Sequence, residues 1–136
     1  MQKFKFLKHT ADIKFQAFGD SLAQAFENSA LAVINAMYKG KVKKKIKKKI
    51  QVKGKDLESL LYNFLEELLF LLDSQGFFLS SAKVNIGKKN LKLSAELLGD
   101  KAENYKIGLD VKAITYNEMY VKKQGNKYIC QVVLDV

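Results

Sequence analysis

Apolar and polar residues alternate near the start of the chain in the pattern of two short strands. Phe4 and Phe6 alternate with lysines, and residues 13–19 alternate apolar with polar side chains before Gly19 closes the segment. Successive side chains of a strand point to opposite faces, so this two-residue period predicts two half-buried strands. Asp12 then lies where the second strand begins.

Two later segments follow helical periodicity instead. Apolar and small residues recur at spacings of three and four over residues 22–37, after Asp20 or Ser21, either of which suits an N-cap, and Gly40 is expected to end this helix. A leucine-rich stretch over residues 57–74 follows Asp56, a second N-cap, and precedes Gly76, which suits the C′ position. Its apolar residues cover well over half of the helix surface, so we expect this second helix to be deeply buried.

Strand-like alternation fills most of the remaining sequence: residues 42–53, 82–86, 91–97, 109–122 and 128–136. The order of strands, helix, strand, helix and antiparallel meander predicts an α+β fold. We expect a two-layer sandwich, with two helices packed on one face of a mixed, largely antiparallel sheet of six or seven strands. No repeat, proline or linker interrupts the chain, so residues 1–136 are expected to form a single domain.

Composition narrows the class of protein. No apolar run approaches the roughly 20 residues that span a bilayer, and the first residues lack the apolar core of a signal peptide. Cys130 lies within an apolar strand pattern and is expected to be a buried, inert thiol. His9 has no evident nucleophilic partner, and no glycine-rich phosphate loop occurs. These features favour a cytoplasmic protein without a recognisable catalytic set.

The positive charge is concentrated in one stretch. The net charge is +10, all 24 basic residues are lysine, and ten of them lie in residues 39–55 without an acid. Lys43, Lys45, Lys47 and Lys49 occupy one face of the predicted strand at intervals of about 6.5–7 Å. Such a row attracts phosphates without specificity, so it is either a contact with RNA or with a partner protein, or a solvated strand that resists edge pairing. No Phe or Tyr interleaves these lysines as a base-stacking platform.

The acidic residues fall into two groups. Those on the predicted helices are expected to be solvated: Glu27, Glu58, Glu66 and Glu67. Asp12 and Asp135 instead interrupt apolar strand patterns, and Asp135 adjoins the terminal carboxylate of Val136. Adjacent carboxylates repel unless a cation compensates them, and calcium prefers such all-oxygen ligands. On the pattern alone, these residues form either a metal site or a frayed, exposed terminus.

Four blocks of sequence, in order along the chain, resemble the archease family. The blocks are His9-Thr10-Ala11-Asp12 with Ala25-Phe26-Glu27-Asn28, residues 56–61 with 65–70, residues 111–116, and residues 132–136. The resemblance implies a non-enzymatic protein cofactor that activates the tRNA-splicing RNA ligase by promoting its guanylylation and multiple turnover. It implies that tRNA is met only through the ligase complex. It also implies that the protein binds neither a membrane nor a small-molecule substrate.

The same resemblance implies a divalent-metal site, with Ca²⁺ as the expected ion. Its ligands would be Asp12, Asp135 and the carboxylate of Val136. Further contacts to the partner are expected from His9, Lys112 and Tyr116.

Two positions depart from the family pattern. Asn117 stands where the family often has histidine, and a histidine usual in the preceding loop is absent, with Tyr105 nearby. Two alternative functions stay open at this point: an RNA-binding module built on the lysine strand, and a chaperone-like scaffold.

Overall fold

The computed structural model describes residues 2–8 and 12–136, and this part of the chain forms seven strands and two α-helices. In chain order they are β1 Phe4–Leu7, β2 Ile13–Gly19, α1 Leu22–Met37, β3 Ile46–Lys53, α2 Leu57–Gln75, β4 Phe77–Gly87, β5 Lys92–Lys101, β6 Ala113–Gln124 and β7 Lys127–Asp135. A short 3-10 turn, Ala102–Asn104, follows β5. The predicted α+β class with two helices is confirmed.

The strands are divided between two sheets. One has four strands in the order β1-β2-β7-β6, and the other has three in the order β3-β5-β4. All the described pairings are antiparallel. The alternation pattern identified the strands but carried no information on this division, because it does not say which strands pair.

Both helices pack against strands of both sheets. α1 contacts β1, β2 and β7 of the larger sheet and β4 of the smaller one, whereas α2 contacts β6 together with β3, β4 and β5. Phe26 of α1 and Phe64 of α2 stack with their ring centroids 6.3 Å apart, and both are fully buried. Truncating one such aromatic side chain costs about 3–5 kcal/mol of stability. The helix pair therefore forms the core that the two sheets share.

Three helix ends lie at the capping residues that the sequence predicts, whereas α1 ends at Met37 and not at Gly40, because Tyr38 already adopts an extended conformation. Ser21 Oγ accepts the Gln24 N–H at 3.1 Å at the start of α1. At the start of α2, Asp56 and Ser59 form a reciprocal capping box. Gly76 closes α2 with φ 61, in the left-handed region that glycine adopts without steric cost.

Cys130 is fully buried in β7, as the sequence predicts. Burial raises the pKa of its thiol to about 12, so the reactive thiolate is not populated at neutral pH. This confirms the interpretation of Cys130 as an inert core residue.

The lysine-rich segment forms a shorter strand than its alternation predicts. β3 begins at Ile46, and Lys43 and Lys45 precede it. The Lys43 N–H donates to Tyr105 Oη, and the Lys45 N–H donates to the Gly99 carbonyl, both at 2.8 Å. These two hydrogen bonds hold the segment in place, although it is not part of the strand.

Three helix glutamates bind the outer N–H groups of edge strands, so the expectation that they are simply solvated is wrong. The carboxylate–amide pairs are Glu27 with Val84 at 2.8 Å, Glu58 with Val121 at 3.1 Å and Glu66 with Ile114 at 3.4 Å. β4 and β6 are edge strands, and their free N–H groups would otherwise be able to pair with another strand. The glutamates therefore join each helix to a sheet edge and protect that edge.

Replacing Glu58 with alanine is expected to lower the free energy of unfolding by about 1 kcal/mol, because the Val121 N–H loses its acceptor. Chemical denaturation monitored by circular dichroism measures this loss. Glu67→Ala is the matched control on the same helix. Equal stabilities of the two variants would contradict the proposed role of Glu58.

Candidate functional site

The pairing of β2 with β7 brings two predicted metal ligands to one end of the larger sheet. Ile13 pairs with Leu134, so the next residues, Asp12 and Asp135, are neighbours when the register is continued by one position. Asp12 is half-buried and Asp135 is exposed. Side chains directly opposite in an antiparallel pair have Cβ atoms about 4.5–5.5 Å apart. The register therefore gathers acidic groups from two distant parts of the sequence.

β6 completes this end of the sheet. Ala113 pairs with Asp135, and the Lys112 N–H donates to the Asp135 carbonyl at 2.8 Å. Val136 follows directly and is half-buried. The main chain of Lys112 is therefore bonded to the acidic end of the sheet. A contact between its ammonium group and the partner stays a prediction.

The donors at this sheet end suit a hard cation. Asp12 and Asp135 offer carboxylate oxygens, the main chain adds carbonyl oxygens, and calcium accepts both types. The ligand role of the Val136 carboxylate stays a prediction. Zinc accepts carboxylates too, but its protein sites typically include nitrogen or sulfur ligands. Within residues 2–8 and 12–136, no group of three or more His, Cys, Asp or Glu side chains is arranged to hold a metal. His9 lies outside the described residues, and its contact stays a prediction.

Tyr116 lies within β6 and packs against α2. Its ring stacks on Tyr62 with the centroids 4.3 Å apart and the planes at 7°, while 54% of the residue stays exposed. Partial burial, with smaller contributions from Tyr62 and Asp56, raises the pKa of its hydroxyl. Tyr116 shares a surface hollow of about 460 Å³ with Lys53 and Lys55. The fold thus places an open aromatic ring beside lysines, which the linear sequence did not indicate.

Asn117 lies in an irregular part of β6. The pairing with β7 is interrupted between Thr115 and Tyr120, and Glu118 adopts a positive φ of 55. Gln131 Nε2 donates to the Glu118 carbonyl at 2.8 Å and holds this bulge against β7. The exposed Asn117 therefore belongs to a bulge with a defined anchor.

Asp100 is a buried carboxylate that the sequence analysis missed. It is 3% exposed, and it accepts hydrogen bonds from Tyr105 Oη at 2.7 Å and from the Lys101 N–H at 2.8 Å. The Tyr105 bond, followed by the Lys101 bond, lowers the pKa of Asp100. Because Tyr105 also accepts the Lys43 N–H, it links Asp100 to the lysine-rich segment.

Two of the four lysines predicted as one row lie outside the strand. Lys47 and Lys49 project from the exposed face of β3, whereas Lys43 and Lys45 precede the strand. Lys47 forms an ion pair with Glu96 at 3.4 Å. Any contact of these lysines with RNA or with a ligase stays a prediction.

Comparison with known proteins identifies the family. The sequence profile of the Archease protein family (MTH1598/TM1083) matches residues 4–136. The chain belongs to the archease family. Relatives named "Protein archease" from Sulfurisphaera tokodaii and Pyrococcus abyssi are 42% and 41% identical to it, and each match covers 100% of both chains.

Solved structures of archeases have the same fold. The solution structure of Methanobacterium thermoautotrophicum protein 1598 matches with a TM-score of 0.87 and 32% identity over 100% of both chains. The crystal structure of a Thermotoga maritima archease, described as a "possible chaperone", matches with a TM-score of 0.68 and 19% identity over 97% of this chain and 96% of that one. In the described part of this family member, no helix is long and apolar enough to cross a membrane.

Replacing Tyr105 with phenylalanine should make stability less dependent on pH. Because the pKa of Asp100 is lowered by folding, its ionised form contributes stability that is complete above its unfolded pKa of about 3.9 and is lost as the pH falls through the folded pKa. The variant lacks the largest cause of that shift, so it should be less stable at pH 7, and its deficit should shrink toward pH 3.

Denaturant unfolding at pH 7, 5 and 3 measures this change. Tyr62→Phe is the control, because it removes a tyrosine hydroxyl that is not bonded to a carboxylate. A deficit of Tyr105→Phe that is the same at all three pH values would contradict the role given to Asp100.

Proposed function

We propose that this archease is a non-enzymatic protein cofactor that activates the tRNA-splicing RNA ligase, and that its acidic sheet end carries the activity. The observation that supports this proposal is the β2–β7 register, which makes Asp12 and Asp135 neighbours. Two carboxylates held this close repel each other, so the arrangement favours a bound cation. We infer the link between this cation site and the ligase from what the resemblance to archeases implies.

The proposed site uses Asp12, Asp135 and the carboxylate of Val136 to hold a divalent cation, expected to be Ca²⁺. When bound, the cation offsets the repulsion between these groups and offers open coordination positions to oxygens of a partner. The half-buried Asp12 and the main-chain bond from Lys112 to Asp135 hold the ligands in place before the partner arrives. Preorganisation of this kind reduces the entropic cost of docking.

Docking of the acidic end would act on the ligase by favouring its conformation for guanylylation. Activation by docking does not require a nucleophile in the archease itself. The buried thiol of Cys130, with its raised pKa, is in agreement with this interpretation. Lys112, Tyr116 and His9 remain the proposed additional contacts with the ligase, and tRNA would be met within the ligase complex.

A chaperone function has weaker support. Binding of unfolded clients calls for a sizeable exposed apolar surface. The leucines that make α2 strongly apolar are largely buried, including Leu60, Leu61 and Leu65. The large apolar side chains exposed in the described residues are Phe6, Phe70 and Tyr116, and Tyr116 already stacks on Tyr62. The acidic sheet end is therefore the better candidate for function.

Asp12→Asn and Asp135→Asn are each expected to abolish stimulation of the cognate ligase while preserving the fold, because both residues lie at the edge of the core. A single-turnover guanylylation assay with GTP and titrated divalent metal measures the stimulation. Asp73→Asn, which changes an exposed aspartate on α2, is the matched control. Stimulation at the wild-type level by both site variants would refute the proposed mechanism.

A second readout separates cation binding from activation. Ca²⁺ that binds the folded chain should raise the unfolding temperature of the isolated wild-type protein and of Asp73→Asn, but not of the two site variants. Two glycines added after Val136 move the terminal carboxylate and should weaken the Ca²⁺ effect. If Ca²⁺ stabilises all variants equally, the cation binds elsewhere.

A further inference from the structure

The three-stranded sheet has one face packed on the core and one open face. Along β3, even-numbered residues are partly buried and odd-numbered residues are exposed. The register extends each odd position across β5 to β4, which gives the four rows Lys47–Leu98–Ser81, Lys49–Glu96–Lys83, Gln51–Ser94–Asn85 and Lys53–Lys92–Gly87. We call these twelve positions the outer face.

The outer face is strongly basic. Its charged residues are five lysines and one acid: Lys47, Lys49, Lys53, Lys83, Lys92 and Glu96. Since Glu96 forms an ion pair with Lys47, the other four lysines carry the excess charge. Lysines two residues apart on a strand are about 6.5–7 Å apart, and neighbouring strands are about 4.7–4.9 Å apart. The charge is therefore a two-dimensional patch that contains lysines far outside the lysine-rich segment.

A row of uncharged, hydrogen-bonding side chains lies between the lysines of this patch. Gln51, Ser94 and Asn85 form the row between the Lys49 and Lys53 rows. They line one hollow of about 780 Å³ together with Lys53 and Lys92. Such a surface can bind a polyanion through its charges and can also bond to sugar hydroxyls or base edges through its amides and hydroxyl.

Lys53 connects the outer face to an aromatic ring. It lines the hollow on the sheet and also the hollow that contains Lys55 and Tyr116. Tyr62 covers one side of the Tyr116 ring, and 54% of Tyr116 stays exposed. An aromatic ring with one supported and one open face is suited to stacking an unpaired base. The fold thus supplies the aromatic platform that is missing from the lysine-rich segment itself.

We propose that the outer face and Tyr116 together bind single-stranded RNA, with phosphates over Lys49, Lys53 and Lys92 and an unpaired base on Tyr116. A single strand is favoured because stacking needs a base that is free of a duplex. Lysines act as point charges and arginine forks are absent, so binding should depend little on sequence. The outer face lies on the smaller sheet, Tyr116 belongs to β6 of the larger sheet, and neither includes a proposed ligand of the cation.

Fluorescence anisotropy with a labelled single-stranded RNA of mixed sequence, over a range of salt concentrations, tests the phosphate contacts. The triple variant Lys49→Gln, Lys53→Gln, Lys92→Gln should bind more weakly. Its slope of log affinity against log salt should be smaller by about 2, at roughly 0.7 for each lost phosphate contact with a single strand.

A matched variant removes the same charge elsewhere: Lys3→Gln, Lys101→Gln and Lys106→Gln, all at exposed positions. Its affinity and slope should stay close to those of the wild-type protein. Equal losses in the two triple variants would mean that overall charge, not the outer face, attracts RNA. An absence of measurable wild-type binding at low salt would also overturn the proposal.

The stacking contact has its own test. Tyr116→Ala should weaken RNA binding by about 5- to 150-fold with an unchanged salt slope, whereas Tyr116→Phe, which keeps the ring, should bind like the wild-type protein. Circular dichroism checks that Tyr116→Ala remains folded.

Duplex RNA and poly-glutamate serve as competitor probes. We expect single-stranded RNA to displace the label better than either one. If poly-glutamate binds as tightly as RNA and Tyr116→Ala has no effect, the outer face is a docking surface for an acidic protein and the RNA proposal is wrong.

Discussion

The antiparallel pairing of β2 with β7 is the contact on which the rest of the structure depends. Phe15 pairs with Val132 and Ala17 with Cys130, and all four residues are fully buried. This pairing forms the centre of the larger sheet, with β1 and β6 outside it, and α1 packs on both of its strands. The same register aligns Asp12 with Asp135. The stability of the core and the geometry of the acidic end are therefore set by one interaction, and a slip by one residue would turn buried side chains to the opposite face.

The helices do more than bury apolar surface between the two sheets. Glu27 on α1 binds the outer edge of β4, and Glu58 and Glu66 on α2 bind the outer edge of β6. A carboxylate that accepts an edge N–H satisfies that donor and places charge where another strand would have to approach. This arrangement explains how the strands can form two separate sheets without leaving these edge donors open to further pairing.

Local and long-range features were unequally predictable from the sequence. Helix limits and most strands followed from short periodicities and from caps such as Asp56 and Gly76, because these signals lie within a few residues of one another. The acceptor for the Val121 N–H is Glu58, 63 positions away, and no local pattern connects the two. The same holds for Tyr116, which meets Lys53 only because β6 packs on α2. Asp12 and Asp135 could be singled out as interruptions of apolar patterns, but only the register shows that they are neighbours.

The lysines of β3 also show that a role in the structure cannot be taken from the residue type alone. Within β3, Lys49 is exposed on the outer face, whereas the neighbouring Lys48 points toward the core side, where its ammonium lies 5.6 Å from the Phe77 ring centroid and donates to Gln75 at 2.6 Å. A lysine placed in this way contributes through the packing of its aliphatic stem and a cation–π contact, and it adds little to the open surface. Strand alternation thus gives adjacent, identical residues different physical roles. The net charge of +10 is for this reason a poor measure of what the surface can bind, and the lysines that matter for a polyanion are those that the sheet register gathers on one face.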